Sequence, residues 1–252
     1  MKIQLLSDLH NEFYGADKAP PISETDADVV VLAGDIDTGV DGVRWAAEQA
    51  RRLGKAIIYV AGNHEFYEHD IALRDKLRDT AARLKRVHFL DNDELRIGDT
   101  RFLGCTLWTD YQAAGNQPMA MFEVKRYLND HRVIRNGPRR FLPEDALQLH
   151  EQSRAWLTQK LGEPFAGKTV VITHHGPHPV CQHPNFELDL FGTAFWSDLS
   201  DLVGQADLWC FGHTHSNVDA HHGKCRIVAN QRGYPDENVP AYRAELVIDV
   251  GR

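Results

Sequence analysis

Five times along this chain a short run of apolar, largely β-branched residues ends abruptly at a side chain able to bind a metal ion. Residues 3–6 lead into Ser7-Asp8, with His10 close behind. Residues 28–33 lead into Gly34-Asp35, and residues 56–60 into Gly62-Asn63-His64-Glu65. Residues 168–173 end at His174-His175, and residues 207–211 at Gly212-His213-Thr214-His215. A continuous apolar run of this length reads as a strand covered on both faces. Open α/β sheets place their ligand sites at the carboxyl ends of such strands, where loops from distant positions converge on one crevice. The pattern therefore restricts the fold to buried sheets with polar residues gathered at one edge.

The segments between these runs support an α/β class. Residues 40–53 carry apolar positions at helical spacing and stop at Gly54, a C-cap residue. Residues 67–84 read as a charged amphipathic helix. Residues 87–90, 94–97 and 101–105 read as strands joined by tight turns. Between 112 and 143 lies a possible helix at 119–128 and a basic loop broken by Gly and Pro, carrying Arg132, Arg135, Arg139 and Arg140. Residues 143–161 form a helix with Pro at its start and Gly162 after it. Residues 218–221, 225–229 and 244–250 finish the chain as strands. Strand–helix alternation first and strand meanders later imply mixed sheets in a layered α/β arrangement, organised as a single domain over residues 1–252.

Composition narrows the partners. The formal net charge is −8, which disfavours nucleic acid, because nonspecific binding there rests on Lys and Arg neutralising phosphates. A small anionic substrate is still compatible, since bound cations reverse the local sign of a pocket. Cys105, Cys181, Cys210 and Cys225 form no CxxC pair, so they read as reduced, buried thiols of a cytoplasmic protein. No signal-peptide pattern opens the chain and no apolar run reaches the length of a membrane span. Oligomeric state is not legible.

Asp8, His10, Asp35, Asn63, His174, His213 and His215 make a nitrogen/oxygen donor set without thiolate. Such a set suits Zn, Mn, Fe or Ni. Seven ligands are too many for one transition ion with open positions; they suit two ions sharing a carboxylate. In this order, DxH, GD, GNHE, a strand-end HH and GHTH resemble the calcineurin-like metallophosphoesterase superfamily, and within it the bacterial cyclic-nucleotide phosphodiesterase branch. Each motif alone is weak, but the ordered set spans Asp8 to His215.

The resemblance implies a four-layer α-β-β-α sandwich of two mixed sheets flanked by helices. It implies that Asp8, His10 and His215 hold one divalent or trivalent ion, that Asn63, His174 and His213 hold a second, and that Asp35 bridges them. His64 would bind no metal and would lie beside the leaving-group oxygen or the phosphate. Two cations about 3.5–4 Å apart can clamp a phosphoryl group and supply a metal-bound hydroxide for in-line attack, with His64 protonating the leaving alkoxide. The expected activity is hydrolysis of small-molecule phosphodiesters. A phosphomonoesterase, a nucleotide pyrophosphatase, a DNA nuclease and a noncatalytic scaffold of the same fold stand as alternatives.

Other residues are read singly. His175, Arg132 and His183 are candidate substrate contacts; Trp108, Tyr111, Asn185 and Phe186 sit in loops that could overhang the ions, and Arg139 or Arg140 could fork a phosphate. Glu65 reads either as a carboxylate that orients a ligand histidine or as a solvated carboxylate at a helix start. His69, His88, His131 and His150 read as surface or half-buried and His221-His222 as an exposed strand end; residues 230–234 follow a strand and could approach the site, though turn chemistry explains them.

Overall fold

A computed structural model of the protein describes residues 1–14 and 19–251. In chain order the elements are β1 (Lys2–Leu6), β2 (Val29–Ala33), α1 (Asp41–Leu53), β3 (Ala56–Val60), α2 (Leu73–Arg83), β4 (Val87–Leu90), β5 (Asp93–Ile97) and β6 (Thr100–Cys105). Then come α3 (Gln117–Tyr127), α4 (Asp130–Val133), β7 (Arg135–Asn136), β8 (Arg139–Arg140), α5 (Pro143–Gly162), β9 (Lys168–Thr173), α6 (Ser200–Val203), β10 (Leu208–Phe211), β11 (Asp219–His222), β12 (Cys225–Ala229) and β13 (Val247–Asp249).

Two sheets carry the fold. The first has strand order β13-β1-β2-β3-β4 and the second β11-β12-β10-β9-β6-β5. In the first sheet β13 alone runs antiparallel, and in the second a parallel centre is flanked by antiparallel β11 and β5, so both are mixed. The two-residue side-chain period sorts the strand residues into layers. Val29, Val31 and Ala33 of β2 face the second sheet and pack with Phe102, Val170, Ile172, Leu208 and Cys210. Val30 and Leu32, one residue out of phase, pack instead with Val43 and Ala46 of α1 and Leu77 of α2. On the far side, Val171, Trp209 and Phe211 meet Leu157 of α5 and Leu202 and Val203 of α6. The layers run helix, sheet, sheet, helix, as expected from the resemblance.

Doubly covered strands explain why the apolar runs are continuous: neither face of the sheet reaches water. The loops leaving β1, β2, β3, β9 and β10 therefore emerge together at the carboxyl edge. The helix expected over 67–84 starts only at Leu73. Residues His64–Phe66 form one 3-10 turn and Glu68 takes a left-handed backbone, φ 61°, which interrupts helical propagation and keeps His64 at the strand end. The last strand is also shorter than 244–250, because Ala244 turns its carbonyl to the buried Gln4 amide, 2.9 Å away. The basic loop folds into a two-strand hairpin, β7 with β8. There Arg139 forks onto Asp145, which occupies its guanidinium. All four cysteines are free and buried. Among the described residues no helix is long and apolar enough to cross a membrane.

Candidate metal centre

The five strand-end loops bring the predicted ligands into mutual contact. Among the described residues three sets of donor atoms lie within 4.8 Å of one another: Asp8, His10 and His215; Asp35, His174 and His213; and His10, Asp35 and His64. Asn63 joins the second set through its Oδ1, 3.0 Å from His174 Nε2. Asp35 stands between the groups, with Oδ1 3.3 Å from His174 Nε2 and Oδ2 3.9 Å from His10 Nε2.

Backbone conformation shows what the loops give up to achieve this. Asp8 (φ 52°), His10 (45°), Asp35 (54°), His213 (71°) and His215 (47°) all adopt left-handed backbone. For residues with a Cβ this costs on the order of 1–3 kcal/mol each and persists only where the surroundings impose it. Neighbouring glycines make the close approach feasible. A Cβ on Gly62 would sit 2.6 Å from Asp35 N and 2.7 Å from His174 Cε1. One on Gly212 would sit 2.6 Å from Asp8 Oδ2.

Hydrogen bonding aims the donor atoms inward. The Nδ1–H of His174 donates to the Ala33 carbonyl, 2.9 Å away. Its Nε2 lone pair then faces two oxygens, those of Asn63 and Asp35. His10 Nδ1 bonds Glu12 at 3.1 Å and His215 Nδ1 bonds Glu237 at 2.5 Å, so their Nε2 atoms face each other 3.1 Å apart. Lone pairs directed at one another repel unless a cation or proton lies between them. His213 Nε2 is buried and has no hydrogen-bond partner among the described residues, a costly state for a polar atom. Ligand histidines in metal sites show this arrangement, with the outer nitrogen tied to a carbonyl or carboxylate. The donors fit a pair of metal ions.

Charge follows the same geometry. Burial alone would raise the Asp35 carboxyl, but His174, His64 and His10 hold it well below the carboxylate range. Burial works against His174 and His215, yet Asp35 lifts the first to about 9, while Asp8 and Glu237 lift the second to about 10. His213, deep among other histidines, is kept neutral.

His64 is placed differently. Its ring stacks on Tyr67 at 4.0 Å, and Nδ1 bonds Glu12 at 2.9 Å. Nε2 lies 3.4 Å from the Tyr234 hydroxyl and 4.0 Å from Asp35 Oδ2. Burial lowers its proton affinity, but Asp35 and Glu12 raise it overall. Tyr234, in the segment that the sequence left between a turn and an approach to the site, is thus a wall of the site; its ring is also 4.4 Å from that of His10.

Several expectations need correction. Glu65 is fully buried. Its carboxylate accepts from the backbone of Asp35 (3.1 Å), Ile36 (2.9 Å) and Gly62 (2.6 Å) and from the Tyr59 hydroxyl (2.7 Å), tying two ligand loops together. Burial beside Asp35 pushes it up to about 7. His131 and His150 are buried, bonded to the carbonyls of Phe141 and Trp108. Trp108 and Tyr111 belong to the core. His175 lies behind His213, with ring centroids 4.2 Å apart, and bonds the Thr106 carbonyl at 3.1 Å; burial and His174 push it down to about 3. Arg132 is exposed and outside the cavity lining, whereas His183 lines the cavity with Asp35, Asn63, His64, His213 and His215. Asp130, unmarked in the sequence, accepts from Asn63 Nδ2 and Tyr67 OH, both at 2.9 Å, and so turns the Asn63 oxygen inward.

Comparisons with known proteins agree with this fold. The phosphopantetheinyl hydrolase of Mycobacterium tuberculosis shares the fold, with TM-score 0.68 at 19% identity over 93% of this chain and 90% of that one. A Staphylococcus aureus protein assigned as a 5′-nucleotidase, solved with α-ketoglutarate, gives TM-score 0.51 at 14% identity over 92% of this chain but only 49% of its own length. No curated protein shows significant sequence similarity. The family model described as calcineurin-like phosphoesterase matches residues 1–217, and the chain belongs to that family.

Proposed function

We propose that this protein is a dinuclear-metal phosphoesterase that hydrolyses phosphodiesters of small molecules. The observation that carries the reading is the posture of Asp35, whose two oxygens turn toward two separate donor groups. Asp8, His10 and His215 would hold one ion, and Asn63, His174 and His213 the other, with Asp35 shared. Bound ions would supply positive charge for the phosphoryl oxygens and a water acidified toward neutral pH. Native metal identity among Mn, Fe, Zn and Ni follows from availability more than from these ligands.

The protein's own groups do the rest. Glu12 holds His64 Nδ1, which leaves Nε2 facing the cavity. With Asp35 and Glu12 favouring its protonated form, His64 would donate a proton to the departing oxygen. Tyr67 and Tyr234 confine its ring. Among the described residues that line the cavity there is no Lys or Arg. A singly charged diester needs less compensation there than a dianionic monoester, which supports the diester preference.

Hydrolysis of bis(p-nitrophenyl) phosphate beside p-nitrophenyl phosphate, in chelated protein with and without added Mn²⁺, tests the proposal. Metal-dependent turnover favouring the diester is expected. Preference for the monoester would make the protein a phosphatase, and no turnover by protein holding two ions would point to the scaffold alternative.

A further inference from the structure

The cavity over the metal centre, about 340 Å³, meets a second cavity of about 440 Å³. They share His183, Phe186, Phe191, Phe195 and Thr214, and Trp196 lines the second alone. Building on the phosphodiesterase reading, we propose that this second cavity seats one ester substituent of the substrate, and that it selects a flat, apolar group without negative charge.

Three observations converge on this. The aromatic wall begins at the metal centre itself, because the Phe195 ring stacks on that of His213 at 4.9 Å and 26°. A group esterified to a phosphate at the ions would therefore reach the second cavity along this shared wall. The charge is one-sided. Glu237 lines the first cavity and Glu187 and Asp189 the second, and no described Lys or Arg lines either. A second phosphate or a carboxylate on the substrate would meet like charge without compensation. Burial also leaves His183 with lowered proton affinity, so its ring adds no cation to offset these acids.

The wall is also built in advance. Trp196 Nε1 donates to Gln182 Oε1 at 2.8 Å, Gln182 Nε2 to the Phe186 carbonyl at 2.9 Å, and Gly192 N to Asp189 Oδ1 at 2.7 Å. A preformed wall avoids the ordering cost of closing on a ligand. At the junction, Phe186 packs on His183 with centroids 4.6 Å apart yet remains 68% exposed. A ring left open inside an apolar cleft gains by being covered with another flat group.

Calorimetric binding of two monoanionic phosphonate esters to the Mn²⁺-loaded protein tests this without requiring turnover. Methyl methylphosphonate and phenyl methylphosphonate carry the same charge and differ only in the ester group. The phenyl compound should bind about tenfold or more tightly, and its 4-carboxyphenyl analogue should lose that advantage. Phe186→Ala should bring the phenyl-to-methyl ratio toward one, and Phe186→Tyr should keep it. Equal affinity for the methyl and phenyl compounds, a carboxyphenyl ester binding as well as the phenyl, or a ratio unchanged in Phe186→Ala would each overturn the subsite. Selective binding of the phenyl compound by protein that hydrolyses no ester would leave the subsite standing and remove the catalytic reading beneath it.

Discussion

Glu65 is where the loops of the metal centre are most open to a stability test. Its carboxylate accepts four hydrogen bonds from groups on β3 and on the loops after β2 and β3: Asp35 N and Gly62 N on Oε2, and Ile36 N and Tyr59 OH on Oε1. In Glu65→Ala all four donors lose their partner inside a site with no exposure at that residue. An unsatisfied buried group costs about 1–3 kcal/mol. Admission of a water to the vacated space would offset part of this, and a net loss of about 4 kcal/mol is expected. Glu65→Gln is milder. The amide oxygen can take Asp35 N and Gly62 N while its NH₂ donates to the Tyr59 hydroxyl, which can also accept. Ile36 N and the Tyr59 O–H are then left without an acceptor, two donors instead of four, for a cost of about 2 kcal/mol. Urea unfolding of metal-free protein should rank wild type above Gln above Ala. Because Asp35 and Asn63 ride on the loops that Glu65 joins, metal affinity should also fall by roughly 10–100-fold in Glu65→Gln. If Glu65→Ala unfolds within about 0.5 kcal/mol of wild type, the carboxylate does not pin these loops and the argument fails.

His64→Ala should retain both ions by elemental analysis and lose about 10²–10⁴-fold in turnover; loss of metal instead would make His64 a ligand, as its grouping with His10 and Asp35 allows. Asp130→Ala frees the Asn63 amide to flip, so one of the two ions should dissociate more readily on titration with chelator; two ions held as tightly as in wild type would remove Asp130 from the site's support. His131 and His150 are held neutral by burial. Their depressed proton affinity stabilises the fold above the unfolded value near 6.5, and that stability is lost as pH falls below it. His150→Gln should therefore show a shallower fall in urea midpoint than wild type between about pH 7 and about pH 5; a parallel fall would show that His150 carries none of it.

The strand-end pattern was readable because a doubly covered parallel strand must be apolar throughout, so its end is marked by the first polar residue. Asp8, Asp35 and His174 each stand at such a break. The sequence does not decide between the two readings of Glu65, because its partners lie 29–30 residues back in the chain, at Ile36 and Asp35, as well as at Tyr59 and Gly62. Nothing local distinguishes it from a solvated carboxylate opening a helix. His131 and His150 were misjudged for a related reason: backbone carbonyls satisfy them, and those leave no trace in side-chain identity. Arg132 follows from the shortness of α4. One turn sends Asp130 toward Asn63 and leaves Arg132 in solvent. The aromatic wall around Phe186, Phe191 and Phe195 comes from an irregular segment in which no periodicity assigns a face.

The central claim is that two donor groups share Asp35 around two ions. Anomalous diffraction from crystals of protein saturated with Mn²⁺, with metal content measured on the same preparation, addresses it directly. The account predicts two ions per chain, one among Asp8, His10 and His215 and one among Asn63, His174 and His213, with Asp35 between them and both diminished in Asp35→Ala. A single ion at saturation, or two ions that persist in Asp35→Ala, would contradict it.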